Sequence, residues 1–120
     1  MKNLIEAIRK FNLERDWEQF HSPKNLAMAL SVEAAEIVEH LQWLTQEQSR
    51  NLEPGKLNQI KEEIADVMIF LINLADKLGI DPFEAAVEKL VKNAKKYPVE
   101  KAKGRATKYT EFKNTESSSS

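Results

Sequence analysis

Residues 56–78 read KLNQIKEEIADVMIFLINLADKL, a stretch apolar almost all the way round a helix. At about 100° per residue, Ile60, Ile64, Val67, Leu71 and Leu74 form one stripe, with Met68, Ile69 and Ile72 roughly opposite. A helix that is apolar on every side is buried on every side. The first stripe is therefore expected to face the core, and a second subunit is expected to cover the outer face. Along one edge run Glu63, Asp66, Phe70 and Asn73, spaced i, i+3, i+7, i+10.

The same spacing occurs upstream. Residues 26–44, LAMALSVEAAEIVEHLQWL, hold Glu33, Glu36, His40 and Trp43 at identical intervals, beside the stripe Leu26, Leu30, Ile37, Leu41 and Leu44. Glu33 falls roughly 40° from the middle of its stripe and Glu63 roughly 55° from the middle of its own. Carboxylates so close to a core face must be protonated, paired with cations or bound to a metal. Either ladder alone would read as solvated acids paired with lysines. Two matched pairs converging from neighbouring helices make an oxygen-rich nest suited to Mg²⁺ or Mn²⁺.

Punctuation places the remaining helices. Leu4, Ile5, Ile8 and Phe11 give a first helix from residue 3 to about 14, whose last turns run into a loop ending at His21. Ser22-Pro23 is an N-cap followed by a residue suited to the first helical position, opening a second helix to about Leu44. Residues 45–59 are polar with Pro54-Gly55, a connection with room for a helical turn. The third helix, about 56–78, ends at Gly79. Asp81-Pro82-Phe83-Glu84 starts a fourth, which Pro98 stops after Tyr97. Val99 to Phe112 is basic without a helical period and reads as an extended arm; residues 113–120, KNTESSSS, read as a disordered tail. The expected class is all-α: a four-helix bundle with one longer crossover, residues 1–112 forming a single domain.

Composition narrows the function classes. Eighteen basic and 19 acidic residues leave a net charge of −1, with no whole-chain signature of a nucleic-acid polymer as partner. The chain has no cysteine, which excludes disulfides, thiolate metal sites and a Cys nucleophile. The longest apolar run, Val67 to Ile72, is too short for a bilayer, and MKNLIEAIRKF has no apolar core of a signal peptide. A soluble, cytoplasmic protein with no membrane partner is expected.

Ferritin-like di-iron sites also use inward carboxylates on four helices but need two Glu-x-x-His motifs. Glu18 to His21 is the sole such spacing, so an all-oxygen, redox-silent site fits better. Aromatics gather near the ladders: Trp17, Trp43 and Phe70 are placed to stack on a nucleobase, or to pack in the core. Between residues 89 and 108, Lys89, Lys92, Lys95, Lys96, Lys101, Lys103, Arg105 and Lys108 meet a single acid, Glu100. They read as a polyphosphate clamp or as a solvated helix end. Acids, base platform and clamp together describe a nucleoside triphosphate site.

These residues carry a resemblance. Glu33-x-x-Glu36 followed by Glu63-x-x-Asp66 resembles the paired motif of the MazG-like, all-α nucleoside triphosphate pyrophosphohydrolases. Within that group, ERDWEQFHSPKNLAMAL, EAAEIVEHLQW, EEIADVMIFLINLA and the late KYP and KYTEF are most similar to the dCTP pyrophosphatases, over about residues 4–112. The resemblance implies a tetramer built as a dimer of dimers. It also implies Mg²⁺-dependent (or Mn²⁺-dependent) cleavage of dCTP, or a modified dCTP, between the α- and β-phosphates, giving dCMP and pyrophosphate. Carried over, Glu33, Glu36, Glu63 and Asp66 hold the metal and do the chemistry. Trp17, His21, Trp43, Phe70, Asn93, Lys96, Tyr97 and Lys108 bind substrate, with Trp17 and Trp43 beside base and sugar, and Asn93, Lys96 and Tyr97 at the triphosphate. Phe70 stands where animal dCTP enzymes carry a tyrosine, which removes one polar contact from base selection. The base that activates water is Glu62 or one of the ladder acids. The rival readings are a broader-specificity house-cleaning enzyme of the same family, a nucleotide-binding bundle without turnover, and a structural oligomer.

Overall fold

The computed structural model describes residues 2–104, and every regular element among them is helical. In chain order these are α1 (Lys2–Glu14), a single 3-10 turn (Glu18–Phe20), α2 (Pro23–Leu41), α3 (Gln46–Arg50), α4 (Pro54–Lys77), α5 (Pro82–Lys96) and α6 (Val99–Ala102). They fall into two compact units, Met1–Pro82 and the residues from Phe83 onward. No helix among the described residues is long and apolar enough to cross a membrane.

In the first unit α2 and α1 both pack on α4. Ile8, Leu26, Ile60, Ile72 and Ala75 form its buried apolar set, with Leu26 only 1% exposed. Leu26→Ala is therefore expected to cost about 2–5 kcal/mol of folding stability, measured by urea denaturation. The apolar girdle of α4 follows the expected stripe only in part: Ile60 is buried and Val67 and Leu74 are half-buried, as expected. Ile72, placed opposite the core by periodicity, is 2% exposed, whereas Ile64 and Leu71 from the supposed core stripe are 54% and 44% exposed. On a helix apolar all round, spacing does not tell one face from the other. Ile72 lies on the α1 side of α4, beside Ile5 and Arg9.

The helix ends follow local chemistry. Ser22 Oγ accepts from Asn25 N at 3.1 Å with Pro23 in the first turn, as the sequence implied. Thr45 and Gln48 close a reciprocal capping box that starts α3. The chain must therefore leave α2 at Leu41, earlier than the expected Leu44. Gly79, at φ +69°, ends α4 with Ile80 N donating to Ala75 O at 2.8 Å and Gly79 N to Asp76 O at 3.1 Å. The same motif ends α1 without glycine: Asp16 takes φ +54°, Trp17 N reaches Asn12 O at 3.0 Å and Asp16 N reaches Leu13 O at 3.1 Å. Asp tolerates the left-handed region better than most residues, so this stop carried no obvious sequence signal.

Three polar links hold α1 and the following turn to α4. Arg9 grips Asp76 with two hydrogen bonds, at 2.9 and 2.6 Å. Asn12 Nδ2 donates to Asn73 Oδ1 at 2.7 Å, both residues buried. Lys77 pairs with Glu18.

In the second unit α5 carries Lys89, Lys92 and Lys96 on one face. The charge of Lys96, ahead of burial and of Lys92, holds the Lys89 ammonium below its ordinary range. Val99–Ala102 is a short helix rather than the start of an extended arm, since Pro98 supplies an extended N-cap from which the turn begins. The rest of the expected arm, including Lys108, and the 113–120 tail lie outside the described residues.

Candidate metal and nucleotide site

The two acidic ladders meet. Glu33 and Glu36 from α2 and Glu63 from α4 each offer a carboxylate oxygen, all within 4.8 Å of one another. Each of the three is half-buried. The buried Oε2 atoms of Glu33 and Glu63 have no hydrogen-bond partner among the described residues. Asp66, one turn beyond Glu63, is exposed and stands outside this tight group, although its charge acts on both Glu33 and Glu63.

Crowding like charges has the expected electrostatic result. Contact with the Glu36 carboxyl, followed by burial and the charges of Glu36, Glu33 and Asp66, pushes Glu63 up to about 7. Two carboxyl groups in contact form a hydrogen bond only when one holds a proton. Burial, then the Glu36 contact and charge, raises Glu33 as well, against a smaller lowering from Glu63. Without a counter-ion the cluster relieves its repulsion by taking up a proton. Half-buried oxygens with no partner, in an all-carboxylate donor set, fit a hard divalent cation such as Mg²⁺ or Mn²⁺.

A lysine and a histidine flank the cluster. Lys56 Nζ lies 3.2 Å from His40 Nδ1, and His40 Nε2 lies 3.9 Å from Glu63 Oε1. Since an ammonium only donates, Nδ1 is the acceptor and the ring N–H sits on Nε2, on the Glu63 side. His40 was legible on its ladder. Lys56, sixteen residues on, had no spacing signal.

About two to three turns along α4 from Glu63, an apolar cavity of about 300 Å³ opens between α1, the turn after it and α4. Its walls include Ile8, Phe11, Trp17, His21, Ile69 and Phe70, with Asn12 and Asn73. The Schellman stop of α1 folds Trp17 back onto Phe11, ring centroids 5.5 Å apart and edge to face. His21 follows at 6.4 Å from Trp17, its buried Nδ1 without a partner among the described residues. Trp17, His21 and Phe70, three of the expected substrate-binding residues, therefore share one cavity. Trp43 does not join them. It lies past the end of α2 and is 86% exposed. Asn93, Lys96 and Tyr97 lie in the second unit, at the end of α5. Asn12 was missed: it is a polar residue one turn beyond Ile8 on an otherwise apolar stripe, and that mismatch was the available signal.

The described residues form an all-α chain in which carboxylates from two helices gather near an aromatic-lined cavity. The chain belongs to the MazG-like family, whose model matches residues 28–112. It is 39% identical over 114 residues to dCTP pyrophosphatase 1 of Mus musculus, covering 90% of this chain and 67% of that one. To the Homo sapiens protein of the same name it is 38% identical over 114 residues, with the same coverage. A crystal structure of a pyrophosphatase from Archaeoglobus fulgidus superposes with a TM-score of 0.77 at 39% identity, over 82% of this chain and 92% of that one.

Proposed function

We propose that the chain is a nucleoside triphosphate pyrophosphohydrolase that cleaves dCTP, or a modified dCTP, to dCMP and pyrophosphate. Family membership and relatives named as dCTP pyrophosphatases support the enzyme class. The observation that carries the reading is the shared edge of α4, with unpartnered carboxylate oxygens at Glu63 and an aromatic-lined cavity at Phe70. Seven residues of helix separate them by about 10 Å, a span that a nucleotide bridges from phosphate to base.

Glu33, Glu36, Glu63 and Asp66 would hold Mg²⁺ or Mn²⁺. When bound, the ion supplies Lewis-acid polarisation of phosphate oxygens and lowers the pKa of an attacking water. The His40–Lys56 pair restrains the Glu63 carboxylate from one side. Trp17 and Phe70 stack on or edge the base while the apolar walls exclude water from it. Glu62, or a ladder acid, accepts the proton from the attacking water. Lys89, Lys92 and Lys96, with Asn93, Tyr97 and Lys108, balance the charge of the departing pyrophosphate electrostatically. The four-helix bundle, a single domain over 1–112 and a dimer-of-dimers assembly belong to the same reading. The open apolar side chains of Ile64, Met68 and Leu71 on α4 support a covering subunit. A purely monomeric species by light scattering at micromolar concentration would count against that assembly.

Chromatography of dCTP incubated with protein and Mg²⁺ tests the chemistry: dCMP and pyrophosphate are expected, whereas dCDP with orthophosphate, or intact dCTP, contradicts it. Trp17→Ala is expected to raise KM by about tenfold, the worth of one lost base–aromatic stack, as read from steady-state kinetics. Broader selectivity is a second reading, favoured by Phe70, which lacks a hydroxyl to read the base. A panel of canonical, methylated and oxidised triphosphates separates the two.

A further inference from the structure

The cavity beside Phe70 is apolar except for His21 and one buried amide pair. Asn12 and Asn73 are 4% and 6% exposed, and both line it. Two amides in such surroundings are costly unless their polar groups are used, and two apolar residues would fill the same space at no such cost. Their mutual hydrogen bond consumes one donor and one acceptor. Among the described residues, Asn12 Oδ1 and Asn73 Nδ2 make no other hydrogen bond. The pair therefore leaves the Asn12 oxygen and the Asn73 amide nitrogen unengaged, on two residues that both line the cavity.

We propose that the Asn12–Asn73 pair reads the hydrogen-bonding edge of the base, and that it does so in either polarity, so that amino- and oxo-pyrimidine nucleotides are both accepted. The proposal rests on the reading of this cavity as the base site. With Asn12 Nδ2 donating to Asn73 Oδ1, the reserve groups are Asn12 Oδ1, which accepts from an exocyclic amine, and Asn73 Nδ2, which donates to the adjacent ring nitrogen. That order matches a cytosine edge. Turning one amide alone would set N–H against N–H or oxygen against oxygen, so the two turn together. After both turn, Asn73 Nδ2 donates to Asn12 Oδ1, and the reserve groups become Asn12 Nδ2 and Asn73 Oδ1. That order matches a uracil or thymine edge, a carbonyl beside a ring N–H. Either order keeps the internal bond, so neither edge leaves a buried group unpaired. A fixed donor and acceptor would reject the wrong edge strongly, because its own groups would then be stranded. No fixed tyrosine hydroxyl sits at position 70 to break the symmetry.

Steady-state kinetics with dCTP, dUTP and the 2-pyrimidinone deoxynucleoside triphosphate tests this, since the last keeps the ring nitrogen but lacks the exocyclic group. In the unaltered protein, kcat/KM for dCTP and dUTP is expected to agree within about tenfold, with the 2-pyrimidinone nucleotide at least about tenfold poorer than either. In the N12L/N73L double variant, which keeps the branching of each side chain and has no amides to orphan, KM for dCTP and dUTP should rise until all three substrates converge. A preference for dCTP over dUTP of about a hundredfold or more, or a 2-pyrimidinone nucleotide as good as dCTP, overturns the proposal using the unaltered protein alone. So does a double variant that keeps the original ranking. If the unaltered protein hydrolyses none of the three, the pyrophosphohydrolase reading itself falls, a result distinct from hydrolysis with the wrong ranking.

Discussion

Glu33→Gln is expected to lower Mg²⁺-dependent dCTP hydrolysis by about a thousandfold or more while raising the melting temperature of the metal-free protein. The two effects have one cause. Glu33 is held by burial, by Glu36 and by Asp66 in a place where its negative charge is disfavoured, and its buried Oε2 has no partner among the described residues. A neutral amide removes the repulsion and adds a donor that Glu36 or Glu63 can accept, so the fold gains. A cation loses one of its anionic ligands, so function suffers. Circular dichroism in chelator checks the first effect and product chromatography the second. A surface carboxylate with no task would show neither. Full activity in this variant would remove the metal-site reading, and a lowered melting temperature in chelator would mean that the fold needs the Glu33 charge.

The second large effect is a steep dependence of metal affinity on pH. Glu63 sits at about 7, well above the ordinary 4.5, because the Glu36 contact, burial and neighbouring charges favour its proton. A cation must displace that proton, so below about pH 7 Mg²⁺ affinity should fall about tenfold per pH unit, with one proton released per ion bound. Calorimetry in buffers of different ionisation enthalpy measures that proton. Stability of the metal-free protein should run the other way. A carboxyl whose pKa is raised on folding contributes stability that is fully present below its unfolded value, near 4.5, and lost as pH rises through about 7. The metal-free protein should therefore melt higher as pH is lowered from above 7 towards 4.5. With saturating Mg²⁺ that trend should disappear.

How much of this was readable in the sequence depends on how local the cause was. The ladders were legible because i, i+3 and i+7 spacing fixes which side chains share an edge; Glu33, Glu36 and Glu63 come together, while Asp66 stands outside their group. The caps at Ser22 and Gly79 were legible because each needs one residue type at one position. The α1 stop at Asp16 was not, because an aspartate in the left-handed region looks like any other loop residue. The inward face of α4 was not legible either. Ile72 and Ile64 are both isoleucines on an apolar girdle, and Ile72 lies on the side that Asn12 to Asn73 and Arg9 to Asp76 tie to α1. Trp43 shows the limit of extending a periodic pattern past a helix end, since the Thr45 capping box had already taken the chain away from α2. Lys56 reaches His40 through tertiary packing that no spacing rule encodes.

The most direct test of the whole account is diffraction from crystals soaked in Mn²⁺, recorded at an energy where manganese scatters anomalously. An anomalous peak is expected, bounded by Glu33, Glu36 and Glu63, with carboxylate oxygens at about 2 Å from it. A peak placed elsewhere, or no peak while the three carboxylates remain together, would contradict it.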